Sequence, residues 1–254
     1  MFRQMSADDY HAHPAISKSA LDQIAKSPAH YAAWLQHKPA PTFDMTLGTW
    51  IHTALLEPEV FARKYACGAG GDKRTKKYEA DLAKIVEDNP GKELIPPEHW
   101  DTVRLMADRF HANPLVKGIL ASSDVEQSMF WTDERTGIEC KGRPDIITEG
   151  AIIDLKSSKD GSPESFRESV AKYRYHVQAA MYCRGADTIL KTPHSFAIIV
   201  VEKEPPYSIV FYNLDSLALM RGVELLDRDL ATYSACKAEN SFHMVQTISL
   251  PHWA

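Results

Sequence analysis

The stretch GRPDIITEGAIIDLK, residues 142–156, decides how this chain folds. Two short apolar runs flank the turn sequence Thr-Glu-Gly at residues 148–150, which predicts two adjacent strands joined by a turn. Asp145 lies in the first predicted strand, and Asp154 and Lys156 lie in the second. Because successive side chains of a strand point to opposite faces, Asp154 and Lys156 are predicted to share one face.

Two carboxylates and an ammonium in such apolar surroundings are costly to bury unless a cation organises them. Mg²⁺ prefers one or two carboxylates together with phosphate oxygens. The backbone carbonyl of Leu155 is a further candidate ligand, and Lys156 can orient a water or offset phosphate charge. The simplest chemistry that uses all of these groups is metal-dependent hydrolysis of a phosphodiester, although surface residues at strand ends are the plain alternative.

Composition and charge exclude several classes. The chain has 254 residues with 44% hydrophobic content, which fits a globular core. It has no apolar run long enough for a membrane span, and its first ten residues lack the apolar segment of a signal peptide. The net charge of −5 argues against a simple nucleic-acid coat but not against a basic groove. Four widely spaced cysteines predict free thiols in the cytoplasm: Cys67, Cys140, Cys183 and Cys236.

The order of predicted elements indicates an α+β or α/β fold. We predict one domain, with a mainly helical part at residues 1–125 and a part containing the sheet at residues 126–254. The predicted helices span residues 16–37, 45–57, 78–89, 97–113, 162–184 and 214–239. The predicted strands span residues 126–132, 138–147, 151–156, 195–201 and 208–212.

Two helices outside the quoted stretch carry candidate site residues. Gln178 and Tyr182 are four residues apart and therefore share a helix face. They either contact water or phosphate at the site or belong to an ordinary amphipathic helix. His52 lies in the apolar segment of residues 48–56, where a histidine is more often a core residue than a metal ligand.

The series of a histidine helix, then PD, then DxK, then QxxxY resembles the PD-(D/E)xK nuclease superfamily. Within it, the chain is most similar to the exonuclease branch of lambda exonuclease, RecE and the RecB nuclease domain. The resemblance covers the core at about residues 128–212. It extends to residues 16–28 and 47–58, which resemble the corresponding segments of RecE.

This resemblance implies roles for individual residues. Asp145 and Asp154 would bind metal, Lys156 would act on the attacking water, and His52 would be a metal ligand. Gln178 and Tyr182 match the helix motif of the family and would belong to the catalytic site. The fold implied is a central mixed sheet flanked by helices, and the cofactor is Mg²⁺ or Mn²⁺, with two ions per site. Glu126 stands where some members carry another acid, and its spacing leaves its part in the site open.

The resemblance also implies an activity and partners. Such enzymes are 5′→3′ exonucleases that degrade one strand of linear duplex DNA and leave 3′ overhangs. They form ring-shaped oligomers, here a trimer or a tetramer, and are often phage-encoded and paired with a single-strand annealing protein used in recombination. A metal-dependent endonuclease of the same fold and a catalytically silent DNA-binding module are the alternatives.

Several basic and hydroxyl residues are candidates for contact with DNA. Ser17, Lys18 and Ser19 lie at the start of a predicted helix, where free backbone N–H groups attract a terminal 5′-phosphate, or else simply cap the helix. Lys73 and Arg74 belong to a glycine-rich basic loop that either follows the duplex backbone or is only solvated. Arg143 is a further candidate.

Overall fold

A computed structural model describes residues 1–242 and Leu250 of this chain. The helices are α1 (Ala7–Ala12), α2 (Lys18–Lys26), α3 (Pro28–Gln36), α4 (Phe43–Leu56), α5 (Pro58–Lys64), α6 (Lys76–Asp88), α7 (Pro97–Ala112), α8 (Pro114–Leu120), α9 (Pro163–Lys172), α10 (Tyr175–Leu190) and α11 (Ser216–Ala238). The strands are β1 (Phe2–Arg3), β2 (Tyr65–Cys67), β3 (Glu93–Ile95), β4 (Ser123–Val125), β5 (Ser128–Thr132), β6 (Glu139–Gly142), β7 (Ile146–Thr148), β8 (Ala151–Ser158), β9 (Ser195–Glu202) and β10 (Ile209–Asn213). The α+β prediction is confirmed.

A mixed five-stranded sheet in the order β10-β9-β8-β7-β4 forms the centre. Strands β8 and β9 run parallel, and the other pairs are antiparallel. The turn between β7 and β8 contains Gly150 at φ +84, a conformation that glycine adopts readily. A smaller antiparallel sheet has the order β1-β5-β6, and β2 pairs with β3 in parallel.

Each face of the central sheet packs against its own set of helices. On one face, Ile152, Ile198 and Val200 join a core that includes α2, α10 and α11. On the other face, Ile153 and Leu155 join a core that includes α4 and α7. The alternation along β8 therefore turns Leu155 toward α4, and Asp154 and Lys156 toward α10.

The predicted strand of residues 138–147 is two strands that belong to different sheets. β6 pairs with β5, whereas β7 pairs with β4 and β8. Pro144 lies in the break, where its missing N–H and its steric restriction on Arg143 prevent a continuous ladder. Asp145 is therefore held in a link between two sheets, next to β7.

Two predicted helices are also divided. Residues 16–37 form α2 and α3, with Ser27 capping α3 and Pro28 at its first position. Residues 162–184 form α9 and most of α10, separated by Arg174 in a left-handed conformation. The short helices α1, α5 and α8 and the short strands β2 and β3 lie in segments where no element was predicted. In the described part of the chain, no helix combines the length and hydropathy that a membrane span needs.

Candidate active site

Strand β8 brings Asp154 and Lys156 together. Asp154 is buried to 1% exposure. Its Oδ1 accepts a hydrogen bond of 2.6 Å from Gln178 Nε2, and its Oδ2 forms an ion pair with Lys156 Nζ. Among the described residues, Oδ2 has this ion pair but no hydrogen bond of regular geometry, so a lone pair of this oxygen stays open to a metal ion.

Asp145 reaches the same strand from the link between the two sheets. Its Oδ2 accepts the backbone N–H of Leu155 at 2.5 Å, which fixes the carboxylate against β8. Burial and the nearby Asp154 raise the pKa of Asp145 well above its ordinary value. Without a cation, this carboxylate is therefore biased toward its neutral form.

His52 approaches from α4, on the other face of the sheet. Its Nε2 lies 2.8 Å from the Leu155 carbonyl oxygen, and its Nδ1 lies 3.7 Å from Asp145 Oδ1. A carbonyl can only accept, so this contact assigns the proton to Nε2 and leaves a lone pair on Nδ1. Burial and Lys156 lower the pKa of His52, which favours the neutral ring. A neutral nitrogen facing a carboxylate oxygen is an arrangement that a metal ion stabilises.

Glu126 is the site residue whose part the sequence left open. It follows β4 with φ 52, and its N–H donates to the Asp145 carbonyl at 3.0 Å. The ligand atoms of His52, Glu126 and Asp145 all lie within 4.8 Å of one another. The pairing of β4 with β7, in which Val125 opposes Ile146, creates this proximity. The sequence pattern places Glu126 in the predicted strand of residues 126–132 and therefore does not predict this proximity.

The guanidinium of Arg143 holds the Glu126 carboxylate in place. Arg143 Nε donates to Glu126 Oε2 at 2.6 Å, and its guanidinium also donates to the Met5 carbonyl at 3.0 Å. Burial and Asp145 nevertheless raise the pKa of Glu126 to about 7. Arg143, a candidate for DNA contact, is thus engaged with a site carboxylate and is mostly buried.

The donor set fits a hard divalent cation. Mg²⁺ binds its ligands at about 2 Å, so any two of them lie no more than about 4 Å apart. The ligand atoms of His52, Glu126 and Asp145 lie within 4.8 Å of one another, so a small closure of the group brings them into this range. Two carboxylates and one imidazole also suit Mn²⁺. Asp154 lies outside this group, although its charge contributes to the raised pKa of Asp145. The Leu155 carbonyl already accepts from His52 but has a second lone pair.

Lys156 keeps its charge despite its burial. Burial alone would lower the pKa of its ammonium, but Asp154 and Asp145 outweigh this effect and raise it. Its Nζ also lies 4.7 Å from the centre of the Tyr175 ring. Lys156 is therefore a hydrogen-bond donor to a water or a phosphate oxygen rather than a free base.

Helix α10 supplies Gln178 and Tyr182 on one face. Gln178 orients Asp154 directly. The pKa of Tyr182 is raised well above its ordinary value by burial and by Tyr10, so it remains a phenol. Gly142 permits the close packing here, since a Cβ would lie 3.1 Å from the Tyr182 ring and 2.5 Å from Met129.

The remaining candidates lie at differing positions. Ser17 caps α2 through its Oγ, and Lys18 Nζ pairs with Asp22 and donates to the Tyr173 carbonyl. Lys18 is close enough for Lys156 to lower its pKa, after the larger effects of burial and Asp22, so the start of α2 borders the site. Ser19 is exposed on the same turn.

The loop before α6 is separate from these contacts. Arg74 pairs with Asp72 and is exposed, as is Lys73. Within the described residues, no contact joins Lys73 or Arg74 to the site.

Comparison with known families gives the chain its classification. The model of a family described as a PDDEXK-like domain of unknown function, DUF3799, matches residues 17–244. The chain belongs to the DUF3799 family. The resemblance to the PD-(D/E)xK superfamily is thereby confirmed, and the match spans both the N-terminal helices and the sheet of this DUF3799 protein.

One solved structure agrees with this fold. A protein from Eubacterium rectale described as "Putative exonuclease" has a TM-score of 0.62 at 15% identity, with 97% of each chain covered. At that identity the likeness of the DUF3799 protein to it shows the fold alone. A phage-related exonuclease from Haemophilus somnus 129PT is more distant, with a TM-score of 0.39 at 14% identity, covering 92% of this chain and 100% of that chain. No curated protein matches the DUF3799 protein.

Proposed function

We propose that this protein is a Mg²⁺-dependent 5′→3′ exodeoxyribonuclease that acts on the ends of linear duplex DNA. The observation that carries the proposal is the convergence of His52, Glu126 and Asp145 beside the ion pair of Asp154 and Lys156. A PD-(D/E)xK fold with a donor set suited to a hard cation supports phosphodiester hydrolysis rather than passive binding.

Different residues of the site would bind the metal ion and contact the attacking water. Glu126, Asp145 and His52 would hold a divalent ion, with Asp154 and the Leu155 carbonyl available to a second. Such an ion supplies Lewis-acid activation of water and charge stabilisation at the phosphate. Lys156 donates from its ammonium to the attacking water or to a phosphate oxygen, while Gln178 keeps the Asp154 carboxylate in place.

The polarity and assembly are further parts of the proposal. They rest on the similarity of the motifs to those of the exonuclease branch. Digestion from the 5′ end would leave 3′ single strands for recombination with an annealing protein. A ring-shaped trimer or tetramer would enclose the duplex and reconcile DNA binding with the net charge of −5.

The test is digestion of matched linear duplexes with 5′-phosphate, 5′-hydroxyl or blocked ends, with and without Mg²⁺. We expect metal-dependent release of nucleotides from the 5′ strand, fastest with a 5′-phosphate, and no cleavage of covalently closed circles. Cleavage of circles would instead assign an endonuclease. Absence of cleavage of any DNA with Mg²⁺ or Mn²⁺ would refute the proposed function.

A further inference from the structure

The junction of α9 and α10 places two tyrosine rings in contact beside Lys156. The rings of Tyr173 and Tyr175 stack with their centres 5.7 Å apart and their planes at 27°. Lys156 Nζ lies 4.7 Å from the centre of the Tyr175 ring. Tyr173 is 49% exposed, so an aromatic surface extends from the site lysine to solvent.

A continuous helix could not form this pair, since residues two apart do not face each other on a helix. The helix is interrupted at Arg174, which has φ 55 and ψ 44. A left-handed conformation is sterically unfavourable for a residue other than glycine. Strain of this kind persists where the surrounding structure enforces it, and such places are often functional.

The surrounding structure does enforce it. Arg174 Nη1 donates to Asp22 at 2.9 Å, and Nη2 forms an ion pair with Asp229, which is buried. Lys18 Nζ donates to the carbonyl oxygen of Tyr173 at 2.6 Å. Helices α2 and α11 therefore both fix the junction.

Further rings support the pair from within the protein. The Tyr175 ring stacks on Phe166 at 6.0 Å, and Phe166 stacks on Tyr212 at 5.2 Å with the planes at 11°. The stack thus has a supported inner end and an exposed outer end at Tyr173. Packing alone would favour burial of this outer ring, because exposed aromatic surface forgoes the hydrophobic gain.

We propose that Tyr173 and Tyr175 form a stacking platform for a nucleobase of the DNA strand whose phosphate lies at Lys156. This inference rests on the proposed nuclease function and adds a binding contact to it. Every base has an aromatic face, so a tyrosine platform binds without regard to sequence, as an exonuclease requires. Lys172, with its Nζ 5.3 Å from the centre of the Tyr173 ring, adds positive charge for the backbone.

The experiment measures the affinity for short duplexes with a frayed end by fluorescence anisotropy. The buffer contains Ca²⁺ in place of Mg²⁺, and gels verify that the DNA stays uncut. Tyr173→Ala should weaken binding about tenfold, since loss of a base stack has an effect of this order. Tyr173→Phe and Tyr173→Trp should bind within about twofold of the original protein, because both keep a ring that can stack. Leu115→Ala, which truncates an exposed side chain of α8, is the matched control and should change nothing.

A walk of abasic nucleotides along the bound strand separates stacking from a structural effect. At one position in the strand, an abasic nucleotide should weaken binding by the unsubstituted protein as much as Tyr173→Ala does. With that abasic strand, Tyr173→Ala should cause no further loss of affinity. The fluorescence of 2-aminopurine at that position should be quenched on binding to the unsubstituted protein. Tyr173→Ala should quench it less.

Normal DNA binding by Tyr173→Ala would refute the proposed platform. The platform would also be refuted if Tyr173→Ala lowered the affinity by the same factor for every abasic strand. If Mg²⁺-dependent cleavage is intact in that case, the proposed function stands without it. If the original protein neither binds nor cleaves DNA, both are wrong.

Discussion

Each carboxylate oxygen of the buried Asp154 has a side-chain partner. Gln178 donates to one oxygen and the Lys156 ammonium pairs with the other. Removing one partner of a buried pair leaves an uncompensated charge, which costs more than the pair itself contributes. The carboxylate, amide and ammonium therefore act as one unit, and loss of any one of them disturbs the other two.

Substitution of Asp154 by Asn tests this unit. Asparagine keeps the shape but removes the charge that faces Lys156 and a metal ion, so metal-dependent release of nucleotides should fall to background. Cooperative thermal unfolding, followed by circular dichroism, should persist. The matched control is Asp124→Asn, which neutralises an exposed acid of β4 and should retain activity. An Asp154→Asn protein with normal activity would contradict the role given to this carboxylate.

Metal binding should release protons near neutral pH. Burial and Asp145 raise the pKa of Glu126 from its ordinary value of 4.5 to about 7, and the pKa of Asp145 is also raised. Because these pKa values are raised, the metal-free folded protein keeps protons on Glu126 and Asp145 at a pH where the unfolded chain has already lost them. Its stability therefore falls as pH rises from 4.5 through about 7. A metal ion binds the ionised carboxylates, so its affinity should rise between pH 6 and pH 8.

Calorimetry with Mn²⁺ in two buffers of different ionisation enthalpy measures this proton release. The number of protons released should be larger at pH 6 than at pH 8. Glu126→Gln should reduce it, whereas Asp124→Asn should leave it unchanged. An affinity that does not change with pH would argue against ionisation of these acids on binding.

At the scale of elements, helices α10 and α11 make an unusually close approach. A Cβ on Gly222 of α11 would lie 2.1 Å from the carbonyl oxygen of His176, at the start of α10. This atom belongs to the backbone and cannot rotate away. The glycine therefore sets the position of the first turn of α10, which leads to Gln178 and Tyr182.

Gly222→Ala should consequently push the two helices apart. We expect a loss in the free energy of unfolding on the order of 3 kcal/mol, measured by urea denaturation. Cleavage activity should fall as well, because Gln178 would shift away from Asp154. Gly118→Ala on α8 is the matched control: nothing lies within 4 Å of its added Cβ, so this change should be neutral or stabilising. Equal stabilities of the two variants would contradict the close packing.

Local patterns predicted one part of this architecture. The alternation in β8 placed Asp154 and Lys156 on one face, and the spacing in α10 placed Gln178 and Tyr182 on one face. Pro144 is a local signal for the division of the strand, and the predicted strand of residues 138–147 overlooks it. The left-handed Arg174 has no such local signal, because its ion pairs with Asp22 and Asp229 determine it. Glu126 joins the site through the pairing of β4 with β7, which no local pattern specifies.

At the scale of the molecule, the site lies where separate parts of the chain converge. Helix α4 supplies His52 from one face of the sheet, and α10 supplies Gln178 from the other. The N-terminal segment is tied to the same region, because Arg143, which donates to Glu126, also donates to the Met5 carbonyl at 3.0 Å. A ligand that bridges these parts should therefore stabilise the whole fold.

Divalent metal should raise the melting temperature. At a concentration of Mn²⁺ one hundred times its Kd, binding should add about 2.7 kcal/mol to the free energy of unfolding. Differential scanning calorimetry measures this shift, and EDTA should reverse it. Glu126→Gln should reduce the shift and Asp124→Asn should retain it. An equal shift in both variants would place the stabilising ion elsewhere.

Anomalous X-ray diffraction from crystals grown with Mn²⁺ would show whether His52, Glu126 and Asp145 bind the ion, because it locates the metal without reference to activity. We predict an anomalous peak coordinated by His52, Glu126 and Asp145, which is lost in crystals of Glu126→Gln. No peak in that position at saturating Mn²⁺, or a peak bound by other residues alone, would contradict this prediction.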